Sequence, residues 1–193
     1  MIRRREFLFP TKKSSADFEL FNKLVTGEHE TIPIQLMNQI QAFSILIKFS
    51  VLTGYDPNNF SCALDFLTCI TSKGIVNRGV EIRHYSTYVY DRFVGSGTYY
   101  AKNNIQQLNN IACMSYNPEL QSNNLSVLLS SNNIVHRTLT SFTTNDSYMQ
   151  IGGANGYNMT EYVTTGKIEE LYIYKRALTD TDLLNYYTDN IIP

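Results

Sequence analysis

The chain contains no tryptophan. That removes one of the flat platforms on which sugar rings stack and turns attention to its tyrosines. Cysteine is scarce as well. Cys62, Cys69 and Cys113 are odd in number and show no C-x-x-C spacing, so neither a disulfide framework nor a zinc ribbon is indicated. They read as small buried apolar residues. No sign of charge dominates: 16 lysines and arginines face 17 aspartates and glutamates. A balance of this kind supplies no field to hold nucleic acid or an anionic membrane. Long apolar runs are missing too. The most apolar window, FSILIKFSVL (43 to 52), carries Lys48 and is far shorter than the ~20 residues that span a bilayer. The opening MIRRREFLFPTKK has the positive charges of a secretory signal, but its apolar stretch ends at Pro10 after Phe7, Leu8 and Phe9. The expectation is a protein made in the cytoplasm without a signal peptide, with neither nucleic acid nor membrane among its partners.

At 193 residues the chain is long enough for one domain with a well-buried core. Asparagine supplies the punctuation: Asn58-Asn59, Asn103-Asn104, Asn109-Asn110, Asn117-Pro118, Asn123-Asn124, Asn132-Asn133 and Asn145-Asp146 recur at short intervals. Asparagine tolerates positive φ and closes turns with its own side chain. Between these marks lie β-branched and aromatic runs at 43 to 51, 61 to 71, 79 to 95, 111 to 116 and 125 to 131. Period two governs them. Phe43, Ile45, Ile47 and Phe49 fall on one face, and Ser44, Leu46 and Lys48 on the other. Short alternating strands with frequent turn signals predict an all-β sandwich or barrel. IPIQLMNQIQAF (32 to 43) has a spacing that also suits a helix.

The end of the chain reads TGKIEELYIYKRALTDTDLLNYY (165 to 187). A strand over 168 to 174 places Ile168, Tyr172 and Tyr174 on one face and Leu171 and Ile173 on the other, so both faces are expected to be covered. Thr179 then stands as a helix N-cap with Asp180 and Asp182 in the first turn. Leu183, Leu184 and Tyr187 form the helical face that packs back on the sheet. This run resembles the terminal signature of laminin-G-like domains in the concanavalin A-like lectin/glucanase superfamily. The matching positions are Gly166, Ile168, Glu169, Glu170, Leu171, Ile173, Tyr174, Arg176, Ala177, Leu178 and Thr179. Upstream, YMQIGG (148 to 153), AFSILIKF (42 to 49) and the stretch from 109 to 133 resemble other strands of that family. The resemblance implies an all-β, two-sheet antiparallel jelly-roll (concanavalin A-like) sandwich with a short C-terminal helix. This chain departs from the family in lacking tryptophan and in carrying Asn132-Asn133 where Asp-Gly is frequent.

The polar residues bear on several chemistries. Glycoside hydrolysis needs two carboxylates flanking the scissile bond. Glu28 and Glu30 have the strand spacing, but no run of the E-x-D-x-x-E kind occurs. Glu169 and Glu170 are adjacent, so a regular strand turns them to opposite faces, and pairing with Lys167 or Arg176 is expected. His29, His84 and His136 are widely spaced, which gives a transition metal no support. Asp56 with Asn58, or Asn145 with Asp146, lacks the charge density of a dedicated calcium loop. Gly95-Ser96-Gly97 is a turn and not a nucleophile elbow. No catalytic residue, metal or cofactor is therefore expected.

Fourteen tyrosines remain. Tyr88 and Tyr90 share one strand face, and Tyr99 and Tyr100 adjoin a glycine-containing turn. These four are the candidate carbohydrate- or partner-binding residues, since tyrosine joins apolar area to a hydrogen-bonding tip. The domain reading is an N-terminal arm over 1 to 25 and a laminin-G-like domain over 26 to 193. Arg3, Arg4, Arg5, Phe7 and Phe9 of the arm are the candidate clip onto a neighbouring subunit. The resulting expectation is a non-enzymatic structural or adhesion module in a bacteriophage virion, partnered by other virion proteins and made in the host cytoplasm. The alternative is a carbohydrate-binding module recognising cell-surface glycan. A divergent glucanase acting through Glu28 and Glu30 comes third.

Overall fold

A computed structural model of the chain describes residues 15–26, 30–32, 42–51, 64–71, 79–85, 88–94, 102–104, 110–129, 133–138, 147–151 and 165–193. The elements in chain order are β1 (Phe18–Thr26), β2 (Glu30–Ile32), β3 (Phe43–Val51), β4 (Leu64–Thr71), β5 (Gly79–Tyr85), β6 (Tyr88–Val94) and β7 (Lys102–Asn104). After these come β8 (Asn110–Tyr116), β9 (Leu125–Leu129), β10 (Val135–Arg137), β11 (Ser147–Ile151), β12 (Thr165–Tyr174) and α1 (Asp180–Asp189). The strands form two six-stranded sheets, ordered β1-β12-β3-β8-β9-β10 and β2-β11-β4-β5-β6-β7. Every pairing among the described residues is antiparallel. The layers face each other, with β12 near β4 and β6 near β9. This is an all-β two-sheet sandwich with a short C-terminal helix: the alternation predicts its strands, the Thr179 cap its helix, and the family resemblance its two layers.

Along its central strands β12, β3, β8 and β9 the first sheet is largely buried on both faces. On its inner face lie Phe43, Ile45, Ile47 and Phe49 of β3, with Ala112, Met114, Val127, Leu171 and Ile173 from its neighbours. On its outer face Leu46, Ile111, Cys113, Leu128, Tyr172 and Tyr174 form a second apolar layer, closed by Leu178, Leu183 and Tyr186. Each large apolar side chain so buried contributes ~1.5–3 kcal/mol. Residues with no helical periodicity of their own thus acquire a helical cover.

One side-chain assignment differs from the alternation. The register of β12 against β3 shifts between Ile168 and Glu170, a bulge at Glu169. An inserted residue turns everything before it to the other face. Ile168 therefore stands opposite Phe49 and joins Leu171 and Ile173 on the inner face, not Tyr172 and Tyr174. The same bulge brings both glutamates to groups of the outer face. Glu169 Oε1 accepts from Ser50 Oγ at 3.1 Å, and Glu170 accepts from Tyr186 Oη at 3.4 Å and lies 3.9 Å from Lys48 Nζ. Ser50, Tyr186 and Lys48 stand in place of Arg176, which is engaged by Ser15 and the Tyr174 ring; the Lys167 side chain lies outside the described residues.

The 79 to 95 run resolves into two strands joined in register, with Tyr85 opposite Tyr88. Asn103 and Asn104, read as turn residues, instead pair with Val89 and Tyr88 on the short strand β7. Residues 18 to 25, placed in the arm on sequence grounds, form most of β1, which pairs with β12 along its length. Asp17 extends this tie: its backbone N–H donates to Ile173 O at 2.8 Å and its Oδ2 accepts from Lys175 N at 2.7 Å. Most of the stretch from 32 to 43 lies outside the described residues, as do Glu28 and His29; Ile32 and Phe43 themselves are in strands.

The helix begins as its sequence prescribes. Thr179 is the N-cap, its Oγ1 accepting from Asp182 N at 3.2 Å while Asp182 Oδ2 accepts from Thr179 N at 2.9 Å, a complete capping box. Asn190 closes the helix in the left-handed conformation at φ 53°, its N–H directed to Asn185 and Tyr186 carbonyls. The residue buried deepest beside Leu183 is Tyr186, with Leu184 and Tyr187 partly buried around it. Replacing Thr179 with alanine is expected to cost ~1 kcal/mol, and serine to restore most of it. Urea unfolding of the three proteins measures this, and equal midpoints would show that the cap contributes nothing.

Candidate functional site

Strand register aligns a polar row across four strands. Ser44 of β3 stands opposite Ser115 of β8, Ser115 opposite Ser126 of β9, and Ser126 opposite His136 of β10. All four point to the outer face, and the link between β12 and α1 crosses over them. Ser44 Oγ lies 2.9 Å from Arg176 O and 3.0 Å from Ser115 Oγ. Ser115 Oγ donates to Leu178 O at 2.8 Å, and Leu178 N–H is shared between Ser44 Oγ at 2.9 Å and Ser115 Oγ at 3.0 Å. Farther along, Ser126 Oγ donates to Asp180 Oδ1 at 2.9 Å. The backbone groups of a buried link must find partners, and the serines supply them.

The turn from β8 to β9 forms the facing wall. Asn117 Oδ1 accepts from Glu119 N at 3.1 Å, and Leu120 N donates to Asn117 O at 3.2 Å across a turn containing Pro118. Asn117 N closes the loop onto Asn124 O at 2.8 Å. Asn123 adopts φ 51°, a conformation asparagine tolerates, and its N–H donates to Thr138 Oγ1 at 2.9 Å. The turn signals read at Asn117-Pro118 and Asn123-Asn124 are thus realised.

Between this turn and the 177 to 180 link lies a cavity of about 410 Å³. Its floor is Ser115 and Ser126, its sides include Asn117, Asn123, Asn124 and His136, and Leu120, Ala177 and Leu178 give it apolar patches. Asp180 stands at its margin. Asn124 is buried, whereas Leu120 is exposed at the rim. The volume falls within the ~300–1,000 Å³ usual for small-molecule sites.

Ser126, His136 and Asp180 form a closed triangle. Ser126 Oγ is 3.2 Å from His136 Nδ1, and His136 Nε2 is 3.2 Å from Asp180 Oδ2. Because the single hydroxyl proton goes to Asp180, Ser126 is left to accept from the ring, and all three contacts together need both ring nitrogens protonated. A nucleophile requires the opposite polarity, with the ring taking the hydroxyl proton. With the Ser126 hydroxyl directed to Asp180, the ring is not the acceptor of its proton in this arrangement. Among the described residues no group of three histidine, cysteine or acidic side chains is placed to hold a metal, and no helix is long and apolar enough to cross a membrane.

Burial raises the Tyr116 phenol above its ordinary range. Burial, reinforced by the Glu170 carboxylate, does the same more strongly at Tyr172 beneath α1 and at Tyr186 on the buried face of α1.

Of the candidates named from sequence, Tyr88 and Tyr90 are placed only by their strand: they lie on β6 of the second sheet, paired with Asn104 and Lys102 of β7. Tyr99 and Tyr100 lie outside the described residues, as do Arg3, Arg4, Arg5, Phe7 and Phe9 and the acids and amides at 28, 56, 58, 145 and 146. Sequence reading took Asn117, Asn123 and Asn124 as punctuation, Asp180 as a helix-terminal charge and His136 as isolated. The available signal was the density of amides in NPELQSNN (117 to 124), more than a turn requires.

No protein-family model matches the chain, and no curated protein does. Solved structures do. A carbohydrate-binding module (CBM40) of a sialidase from Ruminococcus gnavus, solved with α2,3-sialyllactose bound, superposes with a TM-score of 0.63 at 12% identity, over 89% of this chain and 99% of that one. The NanB sialidase of Streptococcus pneumoniae gives 0.66 at 13% identity over 89% of this chain, which spans 28% of the sialidase. The binding domain of botulinum neurotoxin DC, solved with SialylT, gives 0.54 at 11% identity, covering 86% of this chain and 46% of that one. The shared property is a lectin-like β-sandwich, and nothing in these neighbours supports the expected virion role.

Proposed function

We propose that this chain is a non-catalytic glycan-binding module. The carrying observation is the cavity on the outer face of the first sheet, where hydroxyl, amide, imidazole and carboxylate groups converge beside apolar patches on a rigid frame. Sugars present alternating hydroxyl edges and C–H faces, and a site for them needs this mixture of directed polar groups and modest apolar area. The likeness of the whole sandwich to a sialidase carbohydrate-binding module adds an analogy of architecture. It also moves the balance from the virion structural role to the carbohydrate-binding alternative.

Tryptophan is absent. Polar convergence and Leu120 carry the recognition in its place, which implies modest affinity unless several copies act together. A multivalent display of the purified chain on an array of neutral, sialylated and sulfated glycans tests the reading. Reproducible binding by a subset of glycans is expected. A uniformly blank array, from protein with the circular dichroism of a β-sandwich, would overturn it.

A further inference from the structure

We infer that the cavity above Ser115 and Ser126 selects neutral, hydroxyl-rich saccharides and disfavours glycans ending in a carboxylate or sulfate. The inference rests on the glycan-binding reading and specifies its ligand class. It departs from the sialyl ligand of the Ruminococcus gnavus module.

Charge separates the two ligand classes. Among the described residues lining the cavity there is neither arginine nor lysine. The one histidine among them, His136, has its ring already engaged by Asp180 at 3.2 Å and Ser126 at 3.2 Å. Nearby guanidinium groups are turned to other work. Arg176 lies over the Tyr174 ring at 5.1 Å and donates to Ser15 Oγ at 2.9 Å. Arg137 alternates away from His136 along β10, and its Nη1 donates to His136 O at 3.1 Å. The turn facing Asp180 adds Glu119 and no positive residue. An anionic ligand would thus meet the Asp180 carboxylate with neither arginine nor lysine among the described lining residues to receive it, and like charges repel.

The hydrogen-bonding groups point the same way. Asp180 accepts one bond from Ser126 and one contact from His136, and a carboxylate offers about four acceptor positions. The remaining positions face a side that is 45% exposed, where sugar hydroxyls can donate to them. Amides complement this acceptor. Asn117 uses its Oδ1 on Glu119 N, while its Nδ2 and the whole Asn123 side-chain amide have no partner among the described residues. An amide offers a donor and an acceptor, which suits a pair of adjacent hydroxyls. Leu120, Ala177 and Leu178 provide area for the C–H face of a ring.

The test uses lactose and α2,3-sialyllactose as a pair that differs only in the acidic cap, together with an array of other neutral glycans and their sialylated or sulfated forms. Binding is measured for the native chain, for Asp180→Asn and for Asn123→Gly, which deletes the amide while keeping a residue suited to positive φ. Neutral members are expected to bind at least about tenfold more tightly than their capped partners. Losing the charge-assisted bonds at Asp180 is expected to cost about tenfold on neutral glycans, and losing the Asn123 amide about threefold. Binding confined to acidic glycans would sink this inference and leave the glycan-binding reading standing. Neutral binding untouched by both substitutions would remove it from this cavity. A blank array would overturn both.

Discussion

Replacing Tyr186 with alanine is expected to lower the unfolding free energy by ~3–5 kcal/mol, the range found for deleting a buried aromatic side chain. Tyr186 has no exposed surface, meets Tyr172 edge-on at 5.9 Å and places its hydroxyl on Glu170. It is the principal wedge between α1 and the outer layer of the first sheet. Urea unfolding followed by tyrosine fluorescence gives the value, and a loss below ~1 kcal/mol would mean that the helix is not docked as described. Phenylalanine in its place should retain most of the packing.

The pH dependence follows from the raised phenols of Tyr186 and Tyr172. Their folded forms resist ionisation, whereas in the unfolded chain they ionise near pH ~10. Their contribution is therefore complete below about that pH and declines as alkalinity increases beyond it. The unfolding midpoint should fall between about pH 8 and about pH 11, and less steeply in Tyr186→Phe, which has one such phenol fewer.

Removing Ser44 and Ser115 hydroxyls together is the second large effect. Each serine alone can still receive Leu178 N–H, because that group is shared between them. Either single alanine substitution should cost ~1 kcal/mol, the net worth of a typical hydrogen bond. With both changed, Leu178 N–H and the carbonyls of Arg176 and Leu178 lose their hydroxyl partners inside a buried layer, and the double variant should lose ~3–4 kcal/mol. The excess over the sum of the singles is the signature of one network. A double-mutant cycle that adds strictly would show that the two serines act independently.

Much of the sandwich was legible in the sequence because alternation is local. FSILIKFSV displays both faces of β3 directly, and Thr179 with Asp182 announces the helix start through spacing alone. Other features depend on pairing between distant segments. The arm residues from 18 onward become β1 through their register with β12, and the bulge at Glu169 is a mismatch in length between two strands separated by more than a hundred residues. The candidate site belongs to this second kind. Ser44, Ser115, Ser126 and His136 are unremarkable one at a time, and their alignment exists only once four strands are in register. Tyrosine richness drew attention to Tyr88 and Tyr90 for chemical reasons, while the described cavity is made of amides and hydroxyls that looked like turn chemistry.

The serine row also has a bearing on how the chain assembles. Slipping one strand by a single residue would present Ile45, Met114 or Val127 where a hydroxyl belongs, leaving the crossing segment without a seat. The segment that leads into the carboxy-terminal helix therefore has its seat only where these strands keep their frame, so strand alignment and helix docking are mutually dependent.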